Sequence, residues 1–133
     1  MESGGKPSRR RGQRSWSALK SGYHAISGLL WVAPRTPSLK LGIAVMAALV
    51  GAGLLLKLSA LELVMVVMSG VVLLAVETLN TALEMVCDAL HPGPSPQIGK
   101  VKDVAAGATV ITELGMAAVI VTLLASHLGR LLH

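Results

Sequence analysis

Three long runs of aliphatic residues alternate with short polar segments along the second half of the chain. The first run, residues 41–56, lies between Lys40 and Lys57, whose long side chains can extend outward from its ends. The second begins near residue 60 and continues to about residue 90, and the third occupies residues 104–132. A helix needs about 20 mostly apolar residues to cross the hydrocarbon layer. The pattern therefore predicts three transmembrane helices, over 40–57, 60–90 and 101–132.

An amphipathic segment precedes these runs. Its apolar residues recur at helical spacing, opposite a face of serine, lysine and histidine; they are Trp16, Leu19, Tyr23, Ile26 and Leu30. This pattern predicts a helix over 15–32 that lies in the plane of the membrane surface. A helix packed on a soluble core is the alternative, but the chain offers no such core. Pro34 and Pro37 end the segment, and residues 1–14 are expected to form a disordered basic arm rather than a cleaved signal peptide.

Composition supports a small membrane protein of one domain. Hydrophobic residues make up 53% of the 133 residues and charged residues 14%, and the mean hydropathy is +0.66, which is unlike a soluble domain. The single cysteine, Cys87, excludes an intrachain disulfide. Although the net charge is +5, nucleic acid is not an expected partner, because the basic residues precede membrane segments and lack interleaved aromatic residues.

The distribution of the 12 lysines and arginines predicts the topology. Eight precede the first span and two lie between the second and third, whereas Lys57 and Arg130 mark the opposite side. The positive-inside rule therefore places the N-terminus and the second loop in the cytoplasm and the C-terminus outside. We expect a multi-pass protein of the cell membrane.

Three carboxylates and an amide lie in the second half of the second span: Glu77, Asn80, Glu84 and Asp88. At about 100° per residue they fall on one narrow face of a helix, and Glu77 and Glu84 lie about 10 Å apart along its axis. Ionisable groups near hydrocarbon are costly and are functional candidates by default. A helix over 60–90 would be about 46 Å long, longer than the ~30 Å hydrocarbon layer. Its polar half should therefore open on the cytoplasm, where ATP is available.

Two motifs carry a family resemblance. The first is Glu77-Thr-Leu-Asn-Thr-Ala-Leu-Glu84 followed by Asp88, and the second is Lys102-Asp103-Val-Ala-Ala-Gly-Ala108. With them the chain resembles the prokaryotic diacylglycerol kinase and undecaprenol kinase family, from about residue 21 to the end. The resemblance implies an all-α integral membrane fold, with an amphipathic surface helix and three transmembrane helices in a homotrimeric bundle. It also implies transfer of the ATP γ-phosphate to a lipid hydroxyl, at sites between subunits on the cytoplasmic side.

The resemblance also implies roles for individual residues. Glu77 corresponds to the general base, and Glu84, together with Glu77, to the Mg²⁺ ligands. Asn80, Lys102 and Asp103 correspond to nucleotide or substrate contacts. Asp88 is an additional motif residue without an assigned role. General chemistry agrees, because phosphoryl transfer requires a metal and cations around the phosphates plus a positioned base, and Mg²⁺ prefers oxygen ligands.

One position departs from the family pattern. Family members carry a glutamate just after the surface helix, and the ungapped match from Gly28 places Thr36 there. Thr36 with water fills the ligand position, or the proline-rich segment is shifted, or catalysis is weakened. Glu113 lies about 15 Å deeper than Asp103 and is expected to bond Thr109, Thr112 or a neighbouring helix instead of a metal. Gly107 and Gly115 are expected to allow close helix packing.

Two function classes remain open at this stage. A lipid kinase would use both the acidic face of the second span and the Lys102-Asp103 pair. A non-enzymatic or proton-relaying membrane protein would use Glu77 or Glu113 without ATP and would tolerate the loss of Lys102. Diacylglycerol and undecaprenol both present a primary hydroxyl at the membrane surface, so the sequence leaves the lipid substrate open.

Overall fold

The computed structural model describes residues 8–132, with side chains described for residues 20–130. Within that range the chain forms four helices: α1 (Ser8–Val32), α2 (Pro37–Leu55), α3 (Ala60–Leu90) and α4 (Pro96–Leu132). No strand is present among these residues. The all-helical prediction is therefore confirmed, although helix α1 begins seven residues before the expected start at Ser15. Residues 1–7 of the expected arm lie outside the described residues.

Helix α1 and its following turn form one compact unit, which ends at Arg35. Its described apolar residues are largely uncovered, with Tyr23 and Leu30 each 71% exposed and Ile26 60% exposed. The side chains of Trp16 and Leu19, which complete the expected apolar stripe, lie outside the described residues. The turn is fixed locally by Arg35, whose Nη1 donates to the carbonyl of Trp31 and whose guanidinium lies 4.5 Å from that indole ring.

The second unit, residues 36–132, contains helices α2, α3 and α4. Pro37 occupies the first turn of α2, where its missing N–H has no partner to lose. The helix ends in a Schellman motif, in which the N–H of Leu58 donates to the carbonyl of Gly53 and that of Lys57 to Leu54. Lys57 adopts a positive φ of 53° to make this turn. The cap explains why α2 stops at residue 55 and not at 57.

Helix α3 lies between α2 and α4 and packs against both. It starts with a capping box, because Ser59 Oγ accepts from the N–H of Glu62 while Glu62 Oε2 accepts from the N–H of Ser59. A Cβ at Gly70 would lie 3.0 Å from Met46 Sδ, and one at Gly42 would lie 3.0 Å from a methyl of Leu74. These two glycines therefore set the close approach of α2 to α3.

Helix α4 starts earlier than predicted. The proline-rich segment 91–100 was expected to be a loop, but α4 begins at Pro96. Ser95 acts as its N-cap, since its Oγ accepts from the N–H of Ile98 at 3.4 Å, and proline is favoured at the first helical position. Gly107 and Gly115 do not make a close helix contact within the described part of one chain, because a Cβ at either position would meet nothing within 4 Å; close packing of these glycines against another subunit stays a prediction.

Helices α2, α3 and α4 are each long and apolar enough to cross a membrane, with spans at Pro37–Leu55, Ala60–Leu90 and Pro96–Arg130. The core between them is thin and formed by a few buried side chains, among them Leu39, Val66, Leu73, Met116 and Leu123. Most other large aliphatic side chains of these helices are exposed. Such a surface is suited to hydrocarbon or to other helices, as the sequence predicted for a membrane protein.

Candidate active site

Glu77 is a buried carboxylate near the middle of α3. Only 8% of the residue is exposed, and Ser38 Oγ, at the start of α2, donates to its Oε2 at 3.0 Å. Because α2 is much shorter than α3, the beginning of α2 lies level with Glu77 and not with the end of α3. The carboxylate therefore lies where the apolar part of the bundle begins to give way to the polar face of α3.

Glu77 lines a cavity of about 250 Å³ that all three helices of the second unit contribute to. Its walls are mainly aliphatic: Leu41, Gly42, Val45, Leu73, Met116, Ala117 and Ile120. The polar side chains are Ser38, Glu77 and Glu113, which lies on α4. A mostly apolar cavity with a few convergent polar groups is the usual form of a small-molecule site.

The location of Glu113 corrects the sequence-based expectation. Thr109 and Thr112 do not bond it, because their hydroxyls donate to the backbone carbonyls of Ala106 and Thr109. Glu113 is exposed and, within the described part of the chain, its side chain makes no hydrogen bond to another helix. Glu113 lies about 15 Å beyond Asp103 along α4, as expected. Because α3 and α4 run antiparallel, that position is level with Glu77.

Asn80 and Glu84 form a second polar pair, one turn apart on α3. Asn80 Nδ2 donates to Glu84 Oε1 at 3.0 Å, and both residues are half-buried. Among the residues that the structure describes, the amide oxygen of Asn80 is buried without a hydrogen-bond partner. An unpaired buried oxygen is unfavourable unless a ligand satisfies it, so this pair offers a carboxylate and an amide oxygen to a ligand.

Asp88 and Lys102 form an ion pair between α3 and α4. Lys102 Nζ lies 2.5 Å from Asp88 Oδ1. Both residues line a second cavity, of about 430 Å³, together with the loop that joins the two helices. Asp103, the next residue along, is exposed. The structure thus gives Asp88 a direct partner that the sequence left unassigned.

The polar residues of α3 therefore form three separate groups along the helix instead of one cluster. The groups are Glu77 with Ser38, Asn80 with Glu84, and Asp88 with Lys102. Glu77 and Asp88 are eleven residues, or about 16 Å, apart along the helix axis. No group of three or more histidine, cysteine, aspartate or glutamate side chains that could hold a metal ion is found in the described part of the chain. The oxygen donors of Glu77, Asn80 and Glu84 nevertheless suit Mg²⁺, which takes one or two protein carboxylates and completes its shell with water and phosphate.

Sequence reasoning missed Ser38 and underestimated Glu113. Ser38 stands outside both motifs, and only the packing of α2 on α3 brings it to Glu77. The signal for Glu113 was present, because a lone glutamate in an aliphatic helix is a functional candidate, but its partner could not be identified. Thr36 is the N-cap of α2 and makes no side-chain capping bond, so its hydroxyl is not engaged by the helix end.

Comparison with known proteins gives one family assignment. The family model described as prokaryotic diacylglycerol kinase matches residues 23–124, a range that includes every residue of the three groups. No curated protein matches the chain in sequence.

Proposed function

We propose, from the premise that the chain belongs to the prokaryotic diacylglycerol kinase family, that it is an ATP-dependent membrane lipid kinase. It transfers the γ-phosphate of ATP to the hydroxyl of a lipid. The observation that carries this proposal is the buried carboxylate of Glu77, which is held by Ser38 and faces an aliphatic cavity. A base in that setting can meet a hydroxyl whose hydrocarbon chain remains among apolar side chains.

Glu77 acts as the general base. Its carboxylate accepts the proton of the lipid hydroxyl as the oxygen attacks the γ-phosphorus, and the bond from phosphorus to the β–γ bridging oxygen breaks. The products are the phosphorylated lipid and ADP. Since one oxygen of Glu77 is bonded to Ser38, the other is left to take the proton. Positioned bases contribute typically 10²–10⁴-fold to such rates.

The polar half of α3 and the start of α4 bind the nucleotide. Glu84 and the unpaired amide oxygen of Asn80 would hold Mg²⁺, which when bound neutralises charge on the phosphates. Lys102 supplies a cation and Asp103 a further polar contact at the same end of the bundle. The N-terminus of α4 also favours anions, because it is the positive end of the helix dipole.

The acceptor is a lipid alcohol, either diacylglycerol or undecaprenol, and the cavity favours an alcohol without ester groups. Its polar lining consists of two glutamates and a serine whose hydrogen is already donated to Glu77. Ionised carboxylates accept hydrogen bonds and donate none. Ester carbonyls, which also only accept, would gain no partner here, whereas a lone hydroxyl can donate.

The working form is a homotrimer in the cell membrane, with sites completed between subunits. The separation of the candidate residues into three groups along α3 supports this, because one chain does not gather them around one point. The exposed aliphatic surface also supports it. In this arrangement the N-terminus and the α3–α4 loop face the cytoplasm, as the distribution of lysine and arginine indicates.

A second candidate function is proton relay without ATP. The observation that favours it is the presence of Glu77 and Glu113 on one apolar cavity, since carboxylates within a membrane bundle are typical of proton pathways. It differs from the kinase in one testable respect. Loss of Lys102, which lies at the end of the bundle, would abolish phosphate transfer but leave a proton relay intact.

The experiment is transfer of labelled γ-phosphate from Mg-ATP to diacylglycerol and, separately, to undecaprenol, with purified protein in mixed micelles. We expect transfer by the natural chain and a loss of about 10²-fold or more in Glu77→Gln, with the oligomer preserved. Absence of transfer to either lipid would overturn the proposal. Collapse of the oligomer in Glu77→Gln would instead assign Glu77 to helix packing.

A further inference from the structure

Ser38 donates a side-chain hydrogen bond to Glu77, and within the described residues no other side chain bonds this carboxylate. The bond is 3.0 Å long and joins two helices across 39 sequence positions. Within the described residues, the nearest hydroxyls on α3 do not compete for this carboxylate: Thr78 donates to the carbonyl of Leu74, and Thr81 does not bond Glu77. The orientation of the Glu77 carboxylate thus depends on α2.

We infer that Ser38 is a positioning residue for phosphate transfer, an inference that rests on the proposed kinase function. By holding Oε2, Ser38 fixes the plane of the carboxylate and directs Oε1 to the cavity that the lipid hydroxyl enters. The terminal torsion of a glutamate side chain is broad and roughly two-fold. Without a partner the carboxylate would rotate and withdraw part of the time from its position near the hydroxyl.

Ser38 is well suited to this role because of where it lies on α2. It follows Pro37 in the first helical turn, and the proline ring fixes the φ of Pro37 at a helical value. The next residue, Leu39, is only 3% exposed and anchors the same turn in the core. The hydroxyl is therefore carried by a rigid segment, and rigid support of this kind holds a functional group close to its productive geometry.

The test compares Ser38→Ala with Ser38→Thr, which keeps the hydroxyl. Ser38→Ala should lower kcat about 10-fold to 100-fold, because misplacing a reacting group by about 1 Å can cost that much. The KM for Mg-ATP should stay within about twofold, since nucleotide contacts lie elsewhere. Ser38→Thr should restore most of the lost kcat.

Ser126→Ala is the matched control. Ser126 Oγ donates to the carbonyl of Leu123 within α4, near the opposite end of the bundle, so its loss removes one hydroxyl without touching Glu77. We expect this variant to have the same kcat as the unsubstituted protein. All variants should have the same helix content by circular dichroism. Equal losses in Ser38→Ala and Ser126→Ala, or no rescue by Ser38→Thr, would show a general packing effect and overturn the inference.

An infrared measurement separates this inference from the kinase proposal. The Glu77 carboxyl band, assigned as the band lost in Glu77→Gln, should shift in Ser38→Ala and return in Ser38→Thr. If the natural protein transfers no phosphate, the kinase proposal fails, and the band still tests the hydrogen bond. If the natural protein is active and Ser38→Ala is equally active, or raises only the KM for the lipid, the positioning role fails while the kinase proposal stands.

Discussion

At the scale of single residues, the polar side chains on one face of α3 differ in what holds them. Glu77 is bonded from α2 by Ser38, Glu84 from its own helix by Asn80, and Asp88 from α4 by Lys102. The same face therefore provides three different environments. These partners support different tasks for the three carboxylates: proton acceptance, metal binding and the placement of a cation.

Glu113 should influence which lipid is accepted. Replacing Glu113 with Gln keeps the size of the side chain and adds N–H donors to the cavity that it shares with Glu77. We expect the ratio of kcat/KM for diacylglycerol to kcat/KM for undecaprenol to rise about fivefold, because one added hydrogen bond contributes about 1 kcal/mol. The measurement is kcat/KM for each lipid in mixed micelles.

Glu113→Leu separates hydrogen bonding from charge in that experiment. It removes the carboxylate without supplying a donor, so the ratio should change less than in Glu113→Gln. Equal changes in the two variants would mean that the carboxylate acts through its charge or volume. An unchanged ratio in both would place the lipid headgroup outside this cavity.

At the scale of helices, α3 and α4 are joined by an ion pair near each end. Lys102 pairs with Asp88 near the connecting loop, and Arg130 Nη2 lies 2.6 Å from Glu62 Oε1 near the other end. Glu62 and Asp88 are about 39 Å apart along α3. Both pairs are partly exposed and contribute little to stability, but together they favour a single antiparallel register of the two helices.

Asp88→Asn should affect nucleotide binding more than folding. The change removes the partner that holds the Lys102 ammonium at the cavity by the connecting loop. We expect the KM for Mg-ATP to rise about threefold to tenfold, because a mobile lysine is less often in place. The Tm should change little, because the ion pair is partly exposed.

Glu62→Gln is the comparison variant, because it breaks the corresponding pair at the far end of the same two helices. Its KM for Mg-ATP should equal that of the natural chain. A KM that is unchanged or lower in Asp88→Asn would show that Asp88 restrains Lys102 instead of positioning it. Steady-state kinetics with varied Mg-ATP at saturating lipid measures both variants.

At the scale of the whole molecule, three apolar helices and an asymmetric charge distribution predict one orientation in the membrane. The exposed loop residue Gly93 should face the cytoplasm and Ala60, at the start of α3, should face outside. Cys87 is the single cysteine and is buried, so its replacement by serine gives a background without thiols. Single cysteines can then report the side on which each position lies.

In that background, Ala60→Cys should react with a membrane-impermeant maleimide in intact cells, and Gly93→Cys only after the membrane is opened. Phosphate transfer by the Cys87→Ser chain serves as the check that the background remains folded. The reverse labelling pattern would place the candidate nucleotide site outside the cell, where ATP is scarce, and would contradict the kinase proposal.

The sequence predicted the helices well where hydrophobic periodicity was long and was less accurate at their ends. The bounds of α3 agree with the prediction: the capping box of Ser59 and Glu62 fixes its start, and Pro92 and Gly93 follow its end. The start of α4 was placed at 101 although the helix begins at Pro96, since prolines at 92, 94 and 96 resemble a loop when taken together. Only the hydrogen bond from Ile98 N–H to Ser95 identifies the last of them as a helix start.

By itself, the sequence determined which residues share the polar face of α3 and which family the chain resembles. Both follow from local order along the chain: helical spacing fixes the face, and the motif is contiguous. The tertiary structure decided that Ser38 bonds Glu77, that Glu113 lies on the same cavity, and that Asp88 pairs with Lys102. Such contacts depend on the register between helices, which side-chain packing, close approach at glycines and end-to-end ion pairs set together, and no spacing within one helix encodes it.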